Sequence, residues 1–177
     1  MKKILLAGLL VTGLMAVENE NYFGINAGNA KLSYSTDTAN ADTDGAHYTA
    51  TVGHYYGNDG RISASYTYIN RENSVDAADL FSIAYDFMLP LAEDKFSLYA
   101  GPVIGYTSYK ESANTLNLDL SGFHYGAQAG AIFRVVDSVE IEAGYRFLME
   151  TGSDTVADVE INADDVRMWY VGANLRF

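Results

Sequence analysis

The sequence predicts an all-β fold: an eight-stranded antiparallel up-and-down β-barrel that crosses a membrane with its strands, with short turns at one rim and longer loops at the other. Three observations predict it. Apolar residues recur at every second position through eight successive stretches, and no helical spacing is sustained after residue 20. The stretches run to about 9–13 residues, where soluble strands have a mode near 5–6 and a bilayer demands about 9–11 tilted residues. The polar side of the alternation holds mainly Gly, Ser, Thr, Asn and Tyr, not the Lys and Glu of a water-facing wall.

The chain opens with Lys2 and Lys3, an apolar run from Ile4 to Val11, and then Thr12-Gly13-Leu14-Met15-Ala16, which ends on a small residue. A basic start, a short apolar run and a small residue at the cleavage position predict a signal peptide over residues 1–16, and export. The run is too short for a membrane-spanning helix. Residues 17–177 then form one barrel domain.

The strands follow in order. The first, from Tyr22 to Tyr34, starts with Phe23, Ile25 and Ala27 on one face and ends with Leu32 and Tyr34, which predicts a bulge near Gly28. The second carries Tyr48, Ala50 and Val52, and the third Ile62, Ala64, Tyr66 and Tyr68. The fourth has Phe81, Ile83, Tyr85, Phe87 and Leu89, and the fifth Leu98, Ala100, Pro102, Ile104 and Tyr106. Odd positions from Phe123 to Ala131 make the sixth, and those from Val139 to Phe147 the seventh. Trp169, Val171, Ala173, Leu175 and Phe177 make the last. Segments 57–60, 90–95 and 136–138 are short turns, alternating with longer polar segments at 35–46, 70–79, 110–119 and 150–165. Within the first long segment, Asp44-Gly45 reads as turn chemistry. The stretch Asn40 to Gly45 has oxygen-bearing side chains at alternate positions, as a calcium loop does, but Thr51 stands where that loop needs its closing Glu.

Alternation alone also fits a soluble barrel with its apolar face inside. The small polar residues decide for an apolar face turned outward, because they suit a narrow filled lumen. Aromatics near strand ends, among them Tyr48, Tyr56, Tyr68, Tyr106, Phe133, Phe147, Trp169 and Phe177, would form the interfacial girdles. The terminal Phe177 with apolar residues at alternate positions behind it resembles the C-terminal signature of outer-membrane proteins. The chain as a whole resembles the eight-stranded OmpA/OmpX-like outer-membrane barrels, in architecture and not through an internal motif. That resemblance implies a place in the bacterial outer membrane, with lipid and lipopolysaccharide around the wall. It also implies that Trp169, Val171, Ala173, Leu175 and Phe177 are an assembly signal, read by the barrel-assembly machinery during insertion.

Charges divide between lumen and rim. In a narrow barrel side chains fill the lumen, and buried charges must be paired. The turn at 136–138 makes partner numbers sum to about 274, so Arg134 faces Glu140 and Gln128 faces Arg146. Glu142 lies diagonally from Arg134, and Arg176 reaches the same end. The expectation is an Arg134/Glu140/Glu142/Arg176 cluster, with Arg61 beside Asp86. It would act as an electrostatic gate in a pore, or as a plug that supports folding. The long segments are acidic, from Asp37, Asp42 and Asp44 through Asp79, Glu111 and Glu150 to Asp164 and Asp165. Such a rim would attract divalent cations or a basic extracellular or host partner.

Several classes drop out. Net charge is −12, which argues against nucleic acid, and the absence of Cys removes disulfides and catalytic thiols. Of the three His, His47 and His124 face the lumen and His54 faces outward, and none lies in a His-x-Ser arrangement. No catalytic residue, metal or cofactor is expected. The predicted function is a non-enzymatic scaffold that displays four acidic external loops for surface interaction or envelope integrity. The alternative is a narrow channel for ions or small solutes.

Overall fold

The structure, a computed structural model, describes residues 20–36, 39–71, 77–92, 95–110, 120–156 and 159–177. The expected signal peptide lies outside the described residues. Nine strands follow in chain order: β1 (Asn21–Thr36), β2 (Asn40–Tyr56), β3 (Gly60–Arg71), β4 (Ala77–Leu91), β5 (Phe96–Lys110), β6 (Gly122–Val136), β7 (Val139–Glu150), β8 (Ser153–Val156) and β9 (Val159–Arg176). Each of the first six pairs antiparallel with the next, β7 pairs with β9, and β9 pairs with β1. Eight strands therefore close a ring, and β8 is a short addition on β9 outside it. Closure matters physically, because a closed sheet leaves no open edge in hydrocarbon.

The alternation in the sequence becomes two faces. Phe123 is 70% exposed and Phe87 64%, and Ile141, Tyr145, Val171 and Leu175 all point outward as well. Tyr48 lies opposite Tyr68 toward one rim, and Tyr106 opposite Phe123. Tyr56, Phe87, Phe133 and Phe177 ring the other rim. An outer wall this apolar is stable against lipid tails and not against water. The fold is thus a transmembrane barrel with its aromatic residues at two levels.

One expectation about register is corrected. β1 keeps one parity throughout, with Phe23 and Ile25 exposed and Tyr22, Ala30 and Leu32 buried, so there is no bulge near Gly28. The irregularity lies between Ser33 and Tyr34, where β9 inserts Asp164 as an extra residue. Leu32 broke the expected pattern because the lumen is itself apolar at that height. Leu32, Ile69, Leu80, Val103, Leu148, Val166 and Met168 form a buried core there, with Tyr34 and Tyr109 packed against it.

The long segments are also less loop-like than expected. The ends of β1 and β2 occupy most of 35–46, with Asp44 and Gly45 inside the β2 ladder opposite Lys31 and Ala30, so Asp44-Gly45 is not a turn. β8 and the start of β9 occupy most of 150–165. These strands project beyond the aromatic level as a small sheet in the order β2-β1-β9-β8. At the opposite rim the turns are short, and each is tied to the next strand: Met88 N–H donates to the Asp59 carbonyl, Arg134 N–H to that of Lys95, and Arg176 N–H to that of Ser138, all at 2.8 Å.

Candidate functional site

Among the described residues, the lumen brings buried titratable side chains together in numbers. Inward positions on β3, β4, β6, β7 and β9 deliver Arg61, Asp86, Gln128, Arg146, Glu142 and Asn174 to one connected network. Arg61 Nε donates to Asp86 Oδ2 at 2.7 Å, and its two Nη groups donate to the Glu142 oxygens at 2.8 and 3.0 Å. β3 and β7 are four strands apart in a ring of eight, so this bidentate pair spans the diameter. The guanidinium also lies 4.4 Å over the Tyr99 ring. Asp86 accepts from Gln128 Nε2 at 2.8 Å, and Gln128 Oε1 accepts from Arg146 Nε and Nη2 at 2.9 and 2.7 Å. Asn174 Nδ2 donates to Glu142 at 2.8 Å.

The residues expected in one cluster therefore separate into two layers. Arg134 and Arg176 stay with Glu140, at 3.5 and 3.2 Å, near the turn rim. Tyr55 adds a hydrogen bond to Glu140 from the far wall at 2.7 Å. Glu142 instead belongs to Arg61, which the expected cluster had not included. Between the walls, the Tyr99 and Tyr170 hydroxyls meet at 2.6 Å. Gly130 and Gly144 make room for them, since a Cβ at either position would run into the Tyr99 hydroxyl.

Above the charged layers His124 links three walls. Ser82 Oγ lies 3.0 Å from Nε2, Thr107 Oγ1 lies 2.9 Å from Nδ1, and Thr107 donates to Glu150 at 2.7 Å. Thr107 spends its proton on Glu150 and so accepts from Nδ1–H, which leaves Nε2 to accept from Ser82. These are residue types a hydrolase uses, but a Thr separates the imidazole from the carboxylate. Ser82 and His124 are both buried, with no room for an ester beside them. The chain was not visible in the sequence, because its members come from β4, β5, β6 and β7 and share no motif. His47, also inward, bonds to the Trp169 carbonyl at 3.1 Å, and His54 lies against Asn21 at 3.0 Å.

The projecting sheet is the second candidate. Among the described residues it carries Asp42, Asp44, Asp154, Glu160, Asp164 and Asp165, with Lys31 and Arg167 as its cations. Lys31 bonds to Asp42 at 2.8 Å, and Arg167 to Asp165 at 2.8 Å. The hydrogen bond from Lys31 holds the Asp42 carboxyl below its ordinary value and raises the lysine in turn. Two expected rim carboxylates are not on the surface: Glu150 points into the lumen, and Asp79 is buried beneath the Tyr66 hydroxyl. The acidic positions at 37, 72, 76, 111, 119 and 158 lie outside the described residues. No group of three metal-ligating side chains occurs among the described residues.

Trp169, Val171, Ala173 and Leu175 lie outward on β9, and Phe177 N–H returns to the Asn21 carbonyl at 2.9 Å.

Comparisons with known proteins agree with this architecture. The outer membrane protein beta-barrel domain family matches residues 4–177. Neisserial surface protein A is similar in structure, with a TM-score of 0.68 at 16% identity over 88% of this chain and 97% of that one. OprG of Pseudomonas aeruginosa gives 0.60 at 10% identity, over 90% and 98%. Ail, the attachment invasion locus protein of Yersinia pestis, solved with the heparin analogue sucrose octasulfate, gives 0.53 at 22% identity, over 89% and 99%. At these identities the likeness is one of fold. No curated protein matches the chain.

Proposed function

The chain belongs to the outer membrane protein beta-barrel domain family, and on that premise we propose that it is a non-enzymatic scaffold of the bacterial outer membrane. Its closed wall holds an acidic sheet outside the cell, and that sheet serves surface interaction or envelope integrity. The observation that carries this reading is the filling of the lumen. Two paired charge layers near the periplasmic rim are followed by an apolar core of Leu32, Ile69, Leu80, Leu148 and Val166 toward the outside. An ion crossing that core would give up water to mainly apolar side chains that cannot replace it. The filled lumen disfavours a channel, and the burial of Ser82 and His124 disfavours a lumenal hydrolase.

The partners follow from the same reading. Lipid and lipopolysaccharide surround the wall, and the barrel-assembly machinery reads the strand ending at Phe177 after export on residues 1–16. The external partner is basic or bridged by divalent cations, because the described carboxylates of the sheet outnumber Lys31 and Arg167. Ail's capture of a polysulfated sugar therefore does not transfer to this sheet.

Planar-bilayer recording tests the proposal. The purified, heat-modifiable barrel is expected to give no steady unitary current. Reproducible conductance steps would establish the channel in its place.

A further inference from the structure

The hydrogen-bonded chain through His124 has one end closed in the lumen and one end at the outer mouth. Ser82, Thr107 and His124 are buried. Glu150, at the last position of β7, is half-buried. Its two oxygens accept from Thr107 Oγ1 at 2.7 Å and from the Tyr109 hydroxyl at 3.1 Å. Among the described residues this carboxylate makes no ion pair. The titratable and charged groups around it are Tyr109 on β5, Tyr34 on β1 with its ring 6.2 Å from that of Tyr109, and His124 on β6 beyond Thr107. Arg146, two inward positions back on β7, is spent on Gln128. On β9 the inward neighbour is the apolar Val166, and Asp165 is held by Arg167 on the outer face.

Every link of this chain works in either direction, because a hydroxyl both donates and accepts and a neutral imidazole carries its proton on either nitrogen. With Glu150 ionised, Thr107 donates to it, Nδ1–H donates to Thr107 at 2.9 Å, and Ser82 donates to Nε2 at 3.0 Å. With Glu150 protonated, the carboxyl donates to Thr107, Thr107 donates to Nδ1, and Nε2–H donates to Ser82. The second state holds one proton more, and no heavy atom has to move. It releases the Ser82 proton. Ser65 stands opposite Ser82 on β3, and its oxygen is reached by Arg146 Nη1 only at 3.5 Å, so it has room to accept. A proton added to His124 in place of Glu150 would leave an imidazolium and a carboxylate, two charges where the reversed chain has none. Inside a filled lumen the neutral chain is favoured.

We propose that this chain is a proton-operated relay: proton uptake by Glu150 at the outer mouth reverses its three hydrogen bonds, moves the His124 proton from Nδ1 to Nε2 and turns the Ser82 hydroxyl toward Ser65. External acidity is passed in this way from the mouth across β5 and β6 to β4, beside the serine that Arg146 touches. The wall stays closed in both states, so the relay stands for a scaffold and for a channel alike.

The folded full-length barrel in micelles, isotope-labelled in its histidine ring nitrogens and glutamate carboxyl carbons, is titrated by NMR from alkaline to mildly acid solution. His124 is expected to exchange a protonated Nδ1 for a protonated Nε2, with the midpoint of the Glu150 carboxyl. Glu150→Gln is expected to leave a His124 tautomer that no longer changes over this range. Thr107→Val is expected to let the carboxyl titrate while the tautomer stays fixed, which a merely structural Thr107 would not do. A tautomer that stays fixed while Glu150 titrates in the unaltered barrel would overturn the relay, as would a His124 protonated on both nitrogens at that step. A tautomer change that persists in Glu150→Gln, or a carboxyl and tautomer both unchanged throughout, would overturn it as well. The deciding comparison is made on the unaltered barrel, so a variant that does not fold leaves the test in place.

Discussion

Arg61 has an acceptor for each of its three guanidinium nitrogens, and its two acid partners, Asp86 and Glu142, are as buried as it is. Removing one member of such a set costs more than removing all of it, because the survivors keep the desolvation penalty without the attraction. Arg61→Met is therefore expected to lower stability by about 3–5 kcal/mol. The triple variant Arg61→Met, Asp86→Asn, Glu142→Gln is expected to recover most of that loss. Urea unfolding in micelles measures both, and a triple variant worse than the single would show that the network acts by something other than charge balance. Lys31, exposed on its pair with Asp42, makes the contrast: Lys31→Ala is expected to leave the midpoint unchanged. The sequence disclosed half of this network. Arg134–Glu140, Gln128–Arg146 and Arg61–Asp86 join neighbouring strands; the turn at 136–138 fixes the register of the first two, and Arg61 and Asp86 meet because both lie toward the same rim on adjacent strands. Arg61–Glu142 and Tyr55–Glu140 cross the lumen, and the stagger that closes the ring sets those pairs, which no single hairpin encodes.

Strands could be read from period two wherever one face met lipid, because lipid imposes a uniform demand on every second residue. The reading failed at the strand ends that rise above the membrane. There β1, β2, β8 and β9 pair outside hydrocarbon, the outward residues turn polar, and the inward ones turn apolar. Polar stretches such as 35–46 then look like loops although they hold ladder. The inward apolar residues of the core beneath these ends have a measurable role. Leu148 is fully buried on β7, in contact with the core that Leu32, Leu80 and Val166 complete. Leu148→Ala is expected to cost about 2–5 kcal/mol, as in a water-soluble core. Ile141→Arg, on the lipid face of the same strand, is expected to cost at most about 2–4 kcal/mol, and less the nearer its level lies to the interface. Refolding into bilayers of defined thickness separates the two. Thinner bilayers should relieve the Ile141 variant and leave the Leu148 variant as it was, because only the first depends on depth in lipid.

The whole molecule places its two kinds of filling in series along one axis. Ions would have to pass the salt-bridged layers of Glu140 and Glu142 and then the apolar core that surrounds Ser82 and His124. Barriers in series are not relieved one at a time: opening the lower leaves the upper intact. The variant Arg61→Ser, Glu142→Ser, Glu140→Ser, Arg176→Ser, which opens both charged layers, is therefore expected to destabilise the barrel and still pass no steady current. Thinning the core as well, with Leu80→Ser and Leu148→Ser, is expected to give unitary currents in planar bilayers. Currents from the charge-layer variant alone would mean that the apolar core transmits ions. The paired charges would then be the gate of a channel, and the scaffold reading would fail at its central point. Silence from the combined variant, with heat-modifiable migration preserved, would place a further seal at Tyr34 and Tyr109, which pack against the core.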